Sequence, residues 1–301
     1  MIVNFIHWDI DPEIIKIFGI PLRYYGILFV GGLILCIYIL NWIFKKENIP
    51  LDKLEKLSIY GMIGIFAGAR LGHCLFYDPS YYLSNPIEML LPIQQTAGGG
   101  YKFTGYQGLA SHGGALGLII ALIIYAKRTK ESIIKTIDLI AVVAPLGGCF
   151  IRLANLMNSE IIGIPTKVPW AFIFVREDNL PRHPAQLYEA ISYLAIFGLI
   201  FYLYKTKRDK LHNGFFFGLS ISLIFIARFI IEFIKERQVP FEEQMQLDMG
   251  QLLSIPFIIV GLGFVIYGLI KTKNTKPAPP ISPNKRKILL KTLEQLVLHS
   301  L

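Results

Sequence analysis

Seven stretches of this sequence stay apolar long enough to cross a bilayer: residues 25–44, 58–77, 108–126, 136–157, 185–204, 215–234 and 249–270. A spanning helix needs about 17–25 mostly apolar residues. The pattern predicts an all-α polytopic membrane protein with seven transmembrane helices. Composition agrees, since 53% of the 301 residues are hydrophobic and only 17% are charged, against roughly 25% charged in a soluble domain. The first apolar span starts well into the chain and no basic n-region precedes it, so the beginning does not read as a cleaved signal peptide.

Charge sets the expected orientation. The connections 45–57, 127–135 and 205–214 carry four Lys/Arg each and the tail from Lys271 carries seven, while the alternate connections and the N-terminal segment carry eight in all. Basic loops stay in the cytoplasm. The N-terminus is therefore expected outside and the C-terminus inside. This asymmetry, facing anionic headgroups, accounts for the net charge of +9 without a nucleic-acid partner.

Three outer connections, 78–107, 158–184 and 235–248, are long and contain aromatic, Gly and Pro residues. The stretch from Gly163 to Phe174 alternates in a way that suggests short strands, and hence a small outer cap. No internal repeat of the kind transporters carry is visible. Residues 1–273 read as one transmembrane domain, and 274–301 as a Pro-rich linker followed by a basic tail. In that tail Leu289, Leu293, Leu296 and Val297 share one helical face. It reads either as an amphipathic helix on the cytoplasmic surface or as a disordered tail. Cys36, Cys74 and Cys149 all fall within spans at no metal-ligand spacing, so they read as small apolar side chains and imply no disulfide framework.

Arginine inside a span is expensive, roughly 2.5–3.5 kcal/mol each on insertion scales, and it cannot shed its proton to escape. Three occur here. Arg152 ends a long apolar run, shares a helical face with Asn155 and has no acid one turn away; a lipid phosphate is the expected anion. Arg228 has Glu232 one turn on and is expected to pair with it. Arg70 lies among small residues in Gly68-Ala-Arg70-Leu-Gly72, near the outer end of its span, where snorkelling to the interface is the alternative. His112, followed by two glycines, is a side chain able to take and return a proton near neutral pH. The stretch Arg182-His183-Pro184-Ala-Gln186-Leu-Tyr188-Glu189 heads a span, with Gln186 and Glu189 on one face. Tyr25 stands at the same outer boundary.

These motifs resemble, in order and from about Pro21 to Ile270, the bacterial prolipoprotein diacylglyceryl transferase family. The resemblance rests on Arg23-Tyr-Tyr25-Gly26, Ala69-Arg70-Leu-Gly72, Ser111-His112-Gly-Gly114, the stretch from Arg152 to Gly163, Arg182 to Glu189, Arg228-Phe-Ile-Ile-Glu232 and Met249-Gly-Gln251-Leu-Leu-Ser254. The chain departs from the family pattern at Ala154, usually Gly; at Ser111, commonly Phe; at Lys235, usually Arg; and at Ile224, where an aromatic phenol is common. The resemblance implies a multi-pass enzyme of the bacterial cytoplasmic (inner) membrane with its site towards the outer face. It would move the diacylglyceryl group of phosphatidylglycerol to the lipobox cysteine in the signal peptide of a prolipoprotein and release glycerol phosphate. It further implies His112, Arg228 and Arg152 as catalytic residues. Arg152, Tyr25, Asn155, Glu160, Gly163, Arg70, Glu232 and Gln186 would bind the lipid. No cofactor or metal is expected, since no ligand cluster is seen. A lipid or anion transporter would also keep intramembrane arginines but should show repeats, and a lipid-binding scaffold would have no need of His112.

Overall fold

A computed structural model describes residues 5–17, 20–91, 93–96, 99–103, 108, 110–237 and 245–274. The tail from 275 lies outside them, and the amphipathic reading of it with it. The chain begins with short strands β1 (Ile6–Trp8), β2 (Glu13–Ile17) and β3 (Ile20–Arg23), then runs through α1 (Tyr24–Lys46) and α2 (Leu51–Phe76). Two short helices, α3 (Pro79–Ser84) and α4 (Pro86–Leu90), precede the hairpin of β4 (Ile93–Gln95) and β5 (Tyr101–Phe103). Then come α5 (Ser111–Thr129), α6 (Ile133–Met157), β6 (Phe172–Phe174), β7 (Pro181–Arg182), α7 (Ala185–Lys207), α8 (Phe215–Glu232) and α9 (Met249–Asn274).

All seven expected helices are present. Six of them, α1, α2, α6, α7, α8 and α9, are long and apolar enough to cross a membrane. The exception is α5, whose polar ends at Ser111-His112 and Lys127-Arg128 shorten its apolar run. The chain is thus a mostly helical, polytopic membrane protein. Helix ends follow local chemistry. Lys45 and Lys46 close α1, where cations complement the helix dipole. The turn between α5 and α6 is tight: Lys130 takes a left-handed conformation (φ 58°) and the Ser132 side chain accepts from the Lys135 N–H at 3.4 Å.

Helix α6 is the central element, packed by α1, α7 and α8, with α9 against α8. The main core lies towards the end that carries the short basic connections (the basic end), where Ile43, Phe44, Leu54, Tyr125, Leu139, Val142, Tyr204 and Phe216 meet. Helices α2 and α5 touch along glycines, since a Cβ on Gly72 would stand 2.7 Å from Gly113 Cα. Such contact brings backbones together where hydrophobic drive is absent.

The opposite end carries the cap. As the alternation predicted, the stretch from Gly163 to Phe174 contains a strand, β6; it pairs antiparallel with β7, and β1 adds to it in parallel, neither of which the alternation covered. Trp8 donates its indole N–H to the Leu156 carbonyl at 3.0 Å and packs in a tilted arrangement against Phe172, ring centroids 5.3 Å apart. These contacts fasten the N-terminal segment to the last turn of α6, where the candidate site begins.

Candidate active site

The last turn of α6 presents Arg152 and Asn155, whose Nη1 and Oδ1 are 3.4 Å apart. The anion beside Arg152 is a side chain. Glu189 of α7, fully buried, sets Oε2 2.9 Å from Arg152 Nε. The one-turn rule could not see this partner, because it arrives from another helix. An ion pair so placed costs desolvation that only good geometry repays.

A second finding alters the expected pairing of Glu232. Its Oε2 lies 2.9 Å from Lys235 Nζ, and Lys235 also stands 3.9 Å from Glu189 Oε1. The chain leaves its helix directly after Glu232, which brings Lys235 back over the helix end. Arg228 is half-buried and has no hydrogen bond or ion pair among the described residues. The layer therefore holds Arg152, Arg228 and Lys235 against Glu189 and Glu232. Among the described residues of this layer one positive charge is left over.

Outside this layer the chain reverses sharply. Ser159 (φ 56°) and Ile161 (φ 59°) are both left-handed, a costly backbone for a β-branched residue. Between them Glu160 projects outward, accepting from Asn155 Nδ2 at 2.8 Å and Asn158 Nδ2 at 2.9 Å. Gln186 Nε2 donates to the Glu160 carbonyl. Tyr25, in the first turn of α1, lines a depression of about 510 Å³ with Arg23, Asn158 and Glu160. Asn155, Glu160, Gln186 and Tyr25 thus do gather around the end of α6.

Gly163 sits where three backbone segments meet. Its N–H donates to the His183 carbonyl at 2.9 Å, and a Cβ there would stand 2.6 Å from His183 and 2.7 Å from the Ile234 carbonyl. Arg182 donates Nη1 to the Gly163 carbonyl at 3.0 Å. The hydrogen bond from Arg182 holds the Asp178 carboxyl below its usual range, and burial pushes the His183 imidazole down.

Arg70 and His112 stand apart from this group, on the α2–α5 pair. Arg70 is buried and gives its donors to loop carbonyls: Nε to Met89 at 3.1 Å, Nη1 to Gly108 at 3.3 Å and Nη2 to Glu88 at 2.6 Å. It also lies 4.9 Å over the Tyr82 ring. Among the described residues, then, it organises the long loop between α2 and α5. His112, in the first turn of α5, is exposed and makes no hydrogen bond among the described residues. Sequence reasoning named Glu189 and Lys235 without giving either a place in the site. The pairing of Glu189 with Gln186 on one face was the available signal.

Fold and site together define a polytopic helical membrane protein with a partly buried layer of charges near one end of its bundle, in which the described cations outnumber the described carboxylates by one. Its family follows from comparison of sequences. A family model for prolipoprotein diacylglyceryl transferase matches residues 12–267, and the chain belongs to that family. It is 54% identical over 262 residues to the phosphatidylglycerol–prolipoprotein diacylglyceryl transferase of Bacteroides fragilis, covering 87% of this chain and 95% of that protein. The enzyme of the same name from Porphyromonas gingivalis is 44% identical over 282 residues (87% and 94%), and that from Tolumonas auensis 42% over 256 (85% and 94%).

Proposed function

We propose that this protein transfers the diacylglyceryl group of phosphatidylglycerol to the lipobox cysteine of a prolipoprotein signal peptide, with release of glycerol phosphate. The observation that carries the reading is Arg228, half-buried beside the Arg152–Glu189 pair with no ion pair among the described residues, a cation that a phosphodiester would neutralise. The substrate thiol attacks the sp³ glycerol carbon that bears the phosphate. A C–S bond forms, the C–O bond breaks, and its electron pair leaves with the phosphate, which gains a negative charge. Arg228 and Arg152 are preorganised to meet that growing charge in a site screened from water. Glu189 holds Arg152, and Lys235 joins Glu189 to Glu232 beside Arg228. Asn155, Glu160, Gln186 and Tyr25 shape the headgroup pocket, Gly163 keeps its wall close, and Arg70 serves through the loop it holds.

His112 is assigned as the base. A thiol of pKa about 8.5 is mostly protonated at neutral pH, and an exposed imidazole at a helix start can accept its proton as the peptide arrives. The enzyme's own cysteines, Cys36, Cys74 and Cys149, are buried and free, so the nucleophile is the substrate's. We place the chain in the bacterial cytoplasmic membrane with seven spans, α5 among them, the N-terminus and cap outside and the tail inside. The charge asymmetry of the connections supports that orientation. Residues 1–273 form the catalytic unit.

The test uses the full chain in phosphatidylglycerol vesicles with a lipobox peptide, following the peptide's mass gain. His112→Gln should still bind lipid but turn over about 10²–10⁴-fold more slowly. The deficit should shrink as pH rises through the thiol's pKa. A deficit independent of pH, together with lost lipid binding, would move the base elsewhere. Absence of any mass gain with the unaltered chain would sink the reading.

A further inference from the structure

The charged layer rests on an aromatic floor. Tyr193 is one turn further along α7 than Glu189 and only 4% exposed. Its ring packs among Cys149 and Leu153 of α6 and Ile224 and Ala227 of α8. Gly148 makes the room, because a Cβ there would stand 3.0 Å from the ring. Gly148 and Cys149 lie one turn before Arg152, and Ile224 lies one turn before Arg228. The phenol therefore sits where the apolar interior gives way to the charges, between the two arginines, and the charges of Glu189, Arg152 and Arg228 all act on it.

A buried phenol is costly unless its hydroxyl is hydrogen-bonded, and the Tyr193 oxygen already has Arg152 as a donor, which leaves its O–H to place. Among the described residues the Tyr193 hydroxyl donates to no carboxylate or carbonyl within hydrogen-bonding distance. Two cations on either side make an anion the natural acceptor. We propose that Tyr193 is a further phosphate-binding residue: its oxygen accepts from Arg152, turning that guanidinium towards Arg228, and its O–H donates to a non-bridging phosphate oxygen held between them. This rests on the reading that the lipid phosphate lies between Arg152 and Arg228.

Tyr193→Phe keeps the ring and its packing and removes only the hydroxyl. A hydrogen bond to a charged group is worth about ten- to a hundredfold in affinity. Turnover in vesicles of graded phosphatidylglycerol content should show kcat/KM for the lipid falling by that factor. The KM for the lipobox peptide and the Tm should be unchanged. Full activity in Tyr193→Phe overturns the proposal, as does a loss that accompanies a lowered Tm or a raised peptide KM. Arg228→Ala, measured in parallel, separates the two ideas. If it too retains activity, the phosphate reading fails; if it loses activity while Tyr193→Phe does not, only Tyr193 is wrongly assigned.

Discussion

Each end of the bundle buries a group of charges, and the two groups are neutralised differently. At the basic end Glu47 accepts from Arg208 at 2.7 Å and Tyr204 at 2.9 Å, and Lys135 stands 3.2 Å away. Arg208 also reaches Asp138 at 3.5 Å and Asn213 at 2.7 Å, and the Phe217 N–H donates to Asp138 at 2.8 Å. Two cations meet two carboxylates, with neutral donors and acceptors taking up the remaining positions. In the cap-end layer three of the described cations, Arg152, Arg228 and Lys235, face two described carboxylates, Glu189 and Glu232, and Arg228 makes no ion pair among the described residues. A closed group of this kind ties helices together, here α1, α6, α7 and the start of α8. An open one keeps attraction in reserve for a ligand. Binding energy that is not spent in the resting fold is available to the transition state.

The largest expected effect comes from Arg152→Ala, which breaks both halves of the comparison at once. It removes a phosphate contact and strands Glu189, fully buried, without its nearest cation. Transfer should fall by about 10²–10³ or more, and stability should fall by about 3–5 kcal/mol. Thermal unfolding measured beside turnover reads both. Lysine should rescue poorly, since it lacks the planar fork.

Arg228→Ala should be the cleaner lesion. No carboxylate among the described residues depends on it, so transfer should drop by about 10²–10³ while the Tm stays near that of the parent. A large fall in Tm would show that Arg228 is committed to the fold, and the contrast between the two arginines would collapse.

Arg208→Ala should do the reverse. Unfolding should come earlier, by about 3–5 kcal/mol for a broken buried pair, with lipid KM unchanged at a temperature where the variant is folded. A raised lipid KM in that variant would mean that the two ends communicate.

The smallest effect concerns acid. Burial alone would raise the Glu47 pKa, but hydrogen bonding and charge from Arg208, with Tyr204 and Lys135, hold the carboxyl at about 2. A depressed carboxylate contributes stability that is fully present above its unfolded pKa, about 4.3, and is lost as pH falls towards the folded value. The Tm should therefore decline below about pH 4.3, and Glu47→Gln should flatten part of that decline. An identical acid profile in the variant would remove Glu47 from the account.

The helices were legible because long apolar runs have few alternatives in lipid. Their ends were less so. Helix α2 starts at Leu51, seven residues before its apolar run, because Asp52, Lys53, Glu55 and Lys56 continue the helix into water. Of the cap strands, β6 showed through alternation, whereas β1 and β7 lie outside the alternating stretch. In the site, Asn155 beside Arg152 followed from helical spacing, whereas Glu189 did not, since it reaches Arg152 across a helix interface. Arg228 and Glu232 misled in the opposite sense: spacing permitted a pair, and the chain's exit from α8 supplied Lys235 instead. Three acceptors of Arg70 are the backbone carbonyls of Glu88, Met89 and Gly108, which no side-chain pattern records. Long-range partners and carbonyl acceptors are the part that sequence spacing leaves out.

Gly163 shows how this arrangement would deceive a mutational scan. Any side chain there must displace the Ile234 carbonyl or His183, and both adjoin the segments that seat Lys235 and Arg182. A substitution would move charges it never touches and be scored among the inactivating changes alongside the arginines. Activity at position 163 should instead track side-chain volume, whatever the polarity of the replacement. In a ranking by lost turnover, this glycine would be mistaken for a chemist when it is a hinge pin.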